Sequence, residues 1–440
     1  MKFYIKKLGC PKNDVDGDYI SGKLIQQGHE KVASEEHAEA VIVNTCGFIL
    51  PAKEESIAAI LGYENLKKSG RISRLYITGC LSQRYGDELQ KELTSVDGIF
   101  GLGQLDKLAE AIANDANGDR VQVSTPSKSL RYVAGKERFT DKTFPYEYVK
   151  ISDGCDRFCS FCAIPLVRGR HRSRSIQEIV EEARFLVEFG KKEIILVSQE
   201  GNAYGRDSTN GTSILTLLDR LEKIEGLAWI RLMYLHPEAV TDDLIARLSH
   251  SEKTLGYFDM PLQHISNSIL KNMNRRVTRK QIETILSKIR SHSEKNIIRT
   301  TFIAGLPGET ESEYEELKNF IVDFEFDRLG VFKYSVEEGT RAARMEGQVS
   351  EELKEERVDE LMTLQQEIAF RKNIALIGGI QEVIIDRVND NSPAVGRTRG
   401  DCPDIDQQVH IFGENLKVGD ILKVKVNMAD GYDLVGSVVR

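Results

Sequence analysis

Short apolar runs alternate with stretches of helical period over the first 135 residues. The runs KFYIKKL, AEAVIVN, RLYIT and Gly98–Phe100 have the β-branched and aromatic content of strands. Helical spacing follows the first three, over Val15–Gln27, Ala52–Lys67 and Tyr85–Leu93. This βαβα order predicts an α/β N-terminal domain, residues 1–135, built on a doubly wound parallel sheet.

A second and stronger series of strands begins after the polar stretch Val121–Asp141, which is typical of a linker. Six strand-like runs, most of them separated by helical patterns, predict a partial (β/α)6 barrel over residues 140–375. The runs are Tyr146–Ser152, Glu193–Ser198, Trp229–Leu235, Tyr257–Pro261, Ile298–Ala304 and Arg328–Tyr334. Helices are predicted over Ile176–Phe189, Thr278–Ser291, Glu311–Phe324 and, as a long amphipathic element, Glu351–Leu376.

The pattern changes to strands only after Gly378-Gly379, a pair that ends the long helix. Five short runs follow: Gln381–Arg387, Ala394–Arg399, Gln408–Ile411, Ile421–Ala429 and Leu434–Val439. Five strands in so short a tail predict a small antiparallel β-barrel as a third domain, residues 377–440.

Composition excludes several classes of protein. The 440 residues carry a net charge of −8 with both signs mixed, so the whole chain has no general attraction for nucleic acid. No apolar run approaches the roughly 20 residues that span a bilayer, and the N-terminus lacks the apolar core of a signal peptide. We therefore expect a cytoplasmic protein without a membrane partner, in which seven cysteines serve as thiols or metal ligands.

Three of these cysteines form a compact motif, GCDRFCSFC, directly after the first predicted barrel strand. Thiolates at Cys155, Cys159 and Cys162 could each take one iron of a cubane cluster and leave the fourth iron open. The loop would lie at the C-terminal face of the barrel, where barrel active sites lie. A structural zinc site is the alternative, but it needs a fourth ligand, and His171, nine residues on, is a poor candidate.

The other constellation is dispersed: Cys10, Cys46 and Cys80 each follow a predicted strand of the N-terminal sheet. Because the C-terminal ends of parallel strands share one edge, the three thiolates could converge on a second cluster. Ordinary buried cysteines are the alternative interpretation. Cys402 has no partner of this kind and stays unassigned.

The CxxxCxxC spacing resembles the signature of the radical-SAM superfamily. The resemblance implies that the open iron binds S-adenosylmethionine (SAM) and that SAM contacts lie near Gln199, Gln263 and Gly305, at the ends of predicted barrel strands. A satisfied turn or a helix cap is an equally good interpretation of the two glutamines. No general acid or base is assigned as a catalytic residue, because radical abstraction of hydrogen does not require one.

The order of the three domains resembles the methylthiotransferases, whose C-terminal barrel is a TRAM domain. The segments that carry the likeness are LGCPKNDVD, NTCGFILPAKEES, GCDRFCSFCAIPLVRGRHRSRS, PLQHIS and NSPAVGRTRGDCPDID, and they resemble the RimO type. LVSQEGNAYG departs from that type, since Glu200, Gly201 and Asn202 replace Asp-Thr-Thr. The resemblance implies two 4Fe–4S clusters and two roles for SAM, as methyl donor and as radical source.

The substrate that the resemblance implies is an aspartate β-carbon of ribosomal protein S twelve, on the small ribosomal subunit. A reductant protein such as flavodoxin or ferredoxin is implied as well. From residue 377 onward ten acidic residues stand against seven basic ones, which suits a basic protein better than phosphates. The rivals are a tRNA adenosine methylthiotransferase of the MiaB type and a non-catalytic iron–sulfur electron carrier or RNA-binding module.

A run of arginines follows the cysteine motif directly: Arg168, Arg170, Arg172 and Arg174. One interpretation is contact with an anion, such as the SAM carboxylate, the substrate aspartate or ribosomal RNA. The other is a solvated charged loop, which is the commoner role of such a run. The sequence does not single out one arginine.

Overall fold

The computed structural model describes residues 1–114, 138–388 and 393–439, so most of the predicted linker lies outside the described residues. The chain forms two compact units. The first contains Met1–Thr140, Ser152–Glu178 and Ser335–Ala343, and the second contains Asp141–Ile151, Ile179–Tyr334 and Arg344–Arg440. The cysteine motif thus belongs to the first unit, and the three domain boundaries drawn from the sequence stay a prediction.

The helices and strands follow in chain order. The first stretch contains β1 (Lys2–Lys7), α1 (Pro11–Gln26), β2 (Glu30–Lys31), β3 (Ala40–Thr45), α2 (Leu50–Lys68), β4 (Arg74–Gly79), α3 (Cys80–Glu92), β5 (Gly98–Ile99) and α4 (Leu105–Asn114). The second begins with β6 (Tyr146–Lys150), β7 (Ser152–Asp153), α5 (Ile164–Arg168), β8 (Arg172–Ser173), α6 (Ile176–Glu188), β9 (Glu193–Val197), α7 (Ile214–Leu221), β10 (Trp229–Leu232) and α8 (Asp242–His250). It continues with β11 (Tyr257–Asp259), α9 (Asn267–Asn272), α10 (Arg279–His292), β12 (Ile297–Ala304), α11 (Glu311–Phe324), β13 (Arg328–Lys333), α12 (Glu351–Ala375) and β14 (Ile380–Arg387). The last contains β15 (Ala394–Thr398), β16 (Val409–Phe412), β17 (Ile421–Asp430) and β18 (Asp433–Val438).

The N-terminal sheet is parallel, with the strand order β2-β1-β3-β4-β5. This is a doubly wound order in which the order of successive strands reverses between β1 and β3. The predicted doubly wound sheet is confirmed, with β2 and α4 as additional elements. Helix α1 begins four residues earlier than predicted, because Pro11 suits the first helical position, where no N–H donor is needed.

Two apolar cores cover the two faces of this sheet. Alternate residues of a strand point to opposite faces. On β3, Ile42 therefore packs with residues of α1 and α4, whereas Val41 and Val43 pack with residues of α2 and α3. Every residue of β3 is buried, as a central parallel strand requires.

The second unit contains the predicted parallel strands of the partial barrel. They form two three-stranded parallel sheets, β10-β9-β6 and β11-β12-β13. A backbone hydrogen bond from the Leu235 N–H to the Asp259 carbonyl (2.7 Å) connects the segment after β10 to β11. All six predicted strands are present, and α10, α11 and α12 lie within one residue of their predicted bounds.

The C-terminal strands close into a barrel in the order β14-β15-β16-β18-β17. Four pairings are antiparallel, as predicted, whereas β16 and β18 pair in parallel. The parallel pair arises because β17 lies between these two strands in sequence and pairs with β18 on its other side. Within the described residues, no helix has the length and apolar character needed to cross a membrane.

Candidate functional site

The three dispersed cysteines meet at the edge of the N-terminal sheet. Cys10 follows β1, Cys46 follows β3, and Cys80 is the first residue of α3 after β4. Strands β1, β3 and β4 are adjacent, and the first two flank the reversal of strand order where ligands bind in such sheets. A methyl group at Gly9 would lie 2.8 Å from the Cys46 sulfur, so the loop before Cys10 lies directly against Cys46.

Glycines beside these cysteines allow that approach. Gly9 and Gly79 have φ angles of +91° and +103°, which other residues rarely adopt. A Cβ atom at Gly79 would lie 2.3 Å from the Thr45 carbonyl oxygen, and one at Gly47 would lie 2.8 Å from the Leu81 backbone nitrogen. The chain therefore places the three thiols close together only because glycine stands at these positions.

Burial and the neighbouring thiols hold Cys46 and Cys80 in the neutral form when no metal is bound. Burial, followed by the nearby Cys80, raises the pKa of Cys46 to about 11. Burial also raises the pKa of Cys80, although Arg168 opposes that effect. Iron ligation deprotonates a thiol outright and supplies the positive charge that a buried thiolate lacks. Two buried thiols and the half-buried Cys10 therefore fit an iron–sulfur cluster chemically.

The second set of cysteines lies in one loop of the first unit, between β7 and α5. Cys155, Cys159 and Cys162 are all half-buried. The loop is closed by a hydrogen bond from the Cys155 N–H to the Gly169 carbonyl (3.1 Å). At Gly154, φ is +78° and a Cβ atom would lie 2.1 Å from the Arg170 carbonyl oxygen, so glycine is required there as well.

Neither set resembles a site for a single metal ion. Among the residues that the structure describes, no group of three His, Cys, Asp or Glu side chains is placed to hold one ion. A cubane cluster makes a different demand, because each thiolate binds a separate iron. The all-cysteine donor sets thus fit clusters, and the assignment of the six cysteines as ligands stays a prediction.

The arginine run divides between buried and exposed side chains. Arg168 and Arg174 are buried, whereas Arg170 is exposed and lies over the ring of Phe158, 4.4 Å from its centroid. Neither sequence interpretation describes the whole run. The buried Arg168 was not singled out from the sequence, and the only signal for it is its place six residues after Cys162.

The two glutamines lie at C-terminal strand ends of the second unit. Gln199 follows β9 by two residues, and Gln263 follows β11 by four. Both amide atoms of Gln199 and the amide oxygen of Gln263 are buried and have no hydrogen-bond partner among the residues that the structure describes. Such an atom costs about 1–3 kcal/mol unless a ligand satisfies it. SAM offers amino, carboxylate, hydroxyl and adenine groups that could do so, so these positions fit SAM.

Backbone strain coincides with one of these positions. Gln263 has φ of +70°, a left-handed conformation that a residue with a side chain adopts at a cost of about 1–2 kcal/mol. Its backbone is fixed by hydrogen bonds to Thr301 and from Ile303, both 2.8 Å. Strain of this kind collects at functional sites, where the surrounding structure enforces it.

Gly305 follows β12 directly, and the structure gives another reason for glycine there. Its φ is +78°, and a Cβ atom would lie 2.3 Å from Cγ of Lys354 on α12. Its N–H donates to both carboxylate oxygens of Glu309 at 3.0 Å. The close approach at Gly305 is thus to a neighbouring helix of the second unit, and its contact with SAM stays a prediction.

Three family models match the chain in sequence order. Residues 2–101 match the uncharacterized protein family UPF0004, residues 149–321 the radical SAM superfamily, and residues 377–439 the TRAM domain. The solved structure of the radical S-adenosylmethionine methyltransferase TsrM from Kitasatospora setae, with cobalamin and a 4Fe–4S cluster bound, is similar in fold. Its TM-score is 0.56 at 14% identity, over 87% of this chain and 80% of that chain. Fold and site thus define a radical-SAM protein.

Proteins named ribosomal protein uS12 methylthiotransferase RimO resemble the chain over its full length. The protein from Bdellovibrio bacteriovorus is 42% identical over 445 residues, which cover all of this chain and 97% of that protein. The protein from Clostridium botulinum is 42% identical, over all of this chain and 98% of that protein. The chain belongs to the RimO family of radical-SAM methylthiotransferases, enzymes that use 4Fe–4S clusters and SAM.

Proposed function

We propose that this chain transfers a methylthio group to ribosomal protein uS12, at the β-carbon of an aspartate. The observation that carries the proposal is the likeness to RimO proteins along the whole chain, together with two three-cysteine sets in one compact unit. One set follows the strands at the reversal point of the N-terminal sheet, and the other lies in a single loop. The enzyme is thus equipped for two clusters.

The loop with Cys155, Cys159 and Cys162 holds the first cluster, in which one iron has no protein ligand. When bound there, the cluster and SAM supply a carbon-centred radical that removes hydrogen from an unactivated C–H bond. The loop's own contribution is to fix three thiolates by closing its backbone at Gly154 and Gly169. No side chain has to move a proton for that removal.

Cys10, Cys46 and Cys80 hold the second cluster, which serves the sulfur and methyl part of the transfer. Burial excludes water from Cys46 and Cys80 and thereby protects a cluster from hydrolysis and oxidation. The loop after Cys46 is fixed by Arg84, which donates to the Gly47 carbonyl (3.1 Å) and to Glu337 (2.7 Å). Lys53, at the start of the helix that follows this loop, also pairs with Glu337 at 2.9 Å, so both ends of the loop are held by contacts that involve Glu337.

Gln199 and Gln263 orient SAM through their buried amide groups, since their unpartnered atoms offer a donor and two acceptors. The strained backbone of Gln263 aims its side chain away from the direction that an extended residue would take. We include Gly305 as a further SAM contact through its backbone, following the likeness to the radical-SAM superfamily.

The setting of the reaction follows from the substrate. We place the enzyme in the cytoplasm, where it meets uS12 on the small ribosomal subunit, and we assign the reducing electrons to a protein such as flavodoxin or ferredoxin. The excess of acidic over basic residues after residue 377 supports a basic protein as the partner of the C-terminal barrel.

The decisive test is a reaction with reconstituted enzyme. The full chain is loaded anaerobically with iron and sulfide and incubated with SAM, dithionite and a sulfur source. Parallel reactions contain uS12 or tRNA that carries the modifiable adenosine, and mass spectrometry reads both. The proposal predicts a methylthio mass gain on an aspartate of uS12 and none on tRNA.

The other outcomes separate the rivals. A gain on tRNA alone would place the chain with the MiaB type. Cluster loading without SAM cleavage would favour an electron carrier or an RNA-binding module. SAM cleavage with neither product would leave a radical-SAM enzyme with a different substrate.

A further inference from the structure

Arg168 is a fully buried arginine whose guanidinium lies between the two cysteine-bearing segments of the first unit. Its side chain is 1% exposed, and it is the last residue of α5, the helix that follows Cys162. Val167 beside it packs with Cys80 and Leu102 in one small apolar cluster. Helix α5 therefore delivers the guanidinium to the Cys80 side of the N-terminal sheet.

The guanidinium contacts both segments directly. Its Nη1 donates to the carboxylate of Asp153 at 3.1 and 3.2 Å, and Asp153 stands two residues before Cys155. Its Nη2 donates to Asn13 Oδ1 at 2.7 Å and to the Cys80 sulfur at 3.4 Å, with Asp16 at 3.5 Å. One side chain thus joins the loop of the first cysteine set to a ligand of the second.

An anchor for the fold would need only the carboxylates. A buried charge is compensated when it is paired, and Asp153 alone takes both bonds of Nη1. The hydrogen bond from the N–H to the sulfur is not needed for that pairing, but it changes the electron density on the sulfur. Hydrogen bonds to ligand sulfur and nearby charge are two means by which a protein sets the reduction potential of an iron–sulfur cluster.

We infer that Arg168 is a positioning residue that donates an N–H···S hydrogen bond to the Cys80 thiolate and raises the reduction potential of the cluster on Cys10, Cys46 and Cys80. The inference rests on the proposed function, since it requires a cluster at those three cysteines. The guanidinium withdraws electron density from the sulfur and adds a positive charge beside it, and both effects favour the reduced cluster. Asp153 and Asn13 hold the guanidinium in the orientation that makes this bond.

The first test is a potentiometric titration monitored by electron paramagnetic resonance. The full chain with Cys155, Cys159 and Cys162 changed to alanine retains one cluster, which is titrated with dithionite. Arg168→Gln in that background should reduce the equilibrium constant for one-electron reduction about tenfold, a shift of about 59 mV toward negative potential. Arg168→Lys keeps the charge and one donor, so the reduction potential of its cluster should lie between those of the parent and of Arg168→Gln.

Arg170→Gln is the matched control, because Arg170 is two residues away on the same segment but exposed. Its cluster should titrate like that of the parent. The inference is contradicted if Arg168→Gln binds iron normally and titrates within error of the parent. A parent without any cluster signal would overturn the two-cluster proposal, and this inference with it.

A second measurement does not depend on whether the Arg168 variants fold. The same one-cluster chain is grown with guanidinium-¹⁵N arginine, its cluster is reduced, and pulsed electron paramagnetic resonance is recorded beside an unlabelled sample. Arg168 donating to the Cys80 thiolate predicts a ¹⁵N hyperfine coupling in the labelled sample alone. A reduced cluster without that coupling would overturn the inference.

Discussion

The two ends of strand β9 carry buried polar atoms that differ in their hydrogen bonding: those at one end are paired and those at the other are not. At the first residue, Glu193 accepts from Arg231 and Arg397, both at 2.9 Å. Two residues beyond the last, neither amide atom of Gln199 has a hydrogen-bond partner within the described part of the chain. The first end is satisfied by the protein itself, whereas the second is where we propose that SAM binds.

The charged end extends into a network within the second unit. Arg397 of β15 also donates to Asp386 of β14, at 2.6 and 2.9 Å. Burial alone would raise the pKa of Glu193, but Arg397 and Arg231 outweigh it and hold that pKa below its ordinary value. These charges join β9 and β10 to the C-terminal barrel. Buried charges that find partners in the chain are part of the fold, and we propose that the unpartnered amide atoms of Gln199 mark the place of the cofactor.

The largest expected change is the loss of iron and of activity when a cysteine of either set is replaced, which replacement of an ordinary buried cysteine would not cause. Cys46→Ala or Cys159→Ala should each lower the iron content by about four per chain, the content of one cubane cluster, and abolish turnover, while circular dichroism stays unchanged. The matched control is Cys402→Ala, which removes a buried thiol of the second unit that belongs to neither set. Iron analysis and mass spectrometry of uS12 measure both results. Full iron and full activity in Cys46→Ala would refute the two-cluster proposal.

The next effect concerns the satisfied end of β9. Glu193→Gln leaves two buried guanidinium groups without their shared carboxylate and should lower the free energy of unfolding by about 3–5 kcal/mol. Urea denaturation followed by circular dichroism measures it. Glu188→Gln, an exposed glutamate at the end of α6, is the control and should change little. Equal stability of the two variants would mean that the network is not structural.

Asp327, which lies just before β13, makes the stability of the second unit depend on pH. Its carboxylate accepts from Arg290 (2.7 Å), Lys372 (2.7 Å) and the Ile298 N–H (2.9 Å). Burial would raise its pKa, but Arg290 and Lys372 outweigh burial and lower it. A lowered folded-state pKa contributes stability above the unfolded value, about 3.8, and that stability is lost as the pH falls through the folded-state pKa.

Asp327→Asn should therefore cost about 1.5–3 kcal/mol at neutral pH, because the hydrogen bonds to charged groups weaken. The difference from the unmodified protein should shrink as the pH falls below about 4, where the carboxylate itself becomes protonated. Urea denaturation at a series of pH values measures it. A difference that stays constant down to the lowest pH would contradict the assignment.

The smallest effect has opposite signs for stability and binding. Gln263→Gly should raise the free energy of unfolding by roughly 0.5–1 kcal/mol. Glycine adopts φ of +70° without strain, and the greater flexibility of glycine in the unfolded chain offsets part of that gain. The same change removes an amide that we assign to SAM and should weaken SAM binding. Thermal denaturation and anaerobic binding measurements check the two signs. Loss of stability with unchanged binding would show that Gln263 is a structural residue.

Most of the fold follows from the periodicity of the sequence. Alternating strands and helices predict the parallel sheet and the six barrel strands, because buried parallel strands are short apolar runs. Of the features that escape this reasoning, two have clear physical reasons. Strand β2 has only two residues, Glu30 and Lys31, and pairs at the sheet edge, where a polar sequence is tolerated. The parallel pairing of β16 with β18 depends on how the barrel closes, which spacing alone does not determine.

The cysteine positions at the sheet edge were also predictable, because parallel strands place their C-terminal ends together. The burial of Arg168 was not, since the run RGRHRSR has the composition of a solvated loop. Only the packing of α5 against Cys80 takes that arginine out of water. The unpaired amide atoms of Gln199 could not be predicted either, because a sequence does not show which polar atoms the fold leaves without hydrogen-bond partners.

The most direct test of this account is the affinity for SAM of the Gln199→Ala variant, measured by anaerobic equilibrium dialysis on cluster-loaded protein. We predict a dissociation constant about tenfold higher than that of the unmodified enzyme, with the free energy of unfolding unchanged or raised. Gln366→Ala, an exposed glutamine of α12, should bind SAM normally. Unchanged SAM affinity together with lower stability in Gln199→Ala would contradict the claim that unpartnered buried groups mark the cofactor site.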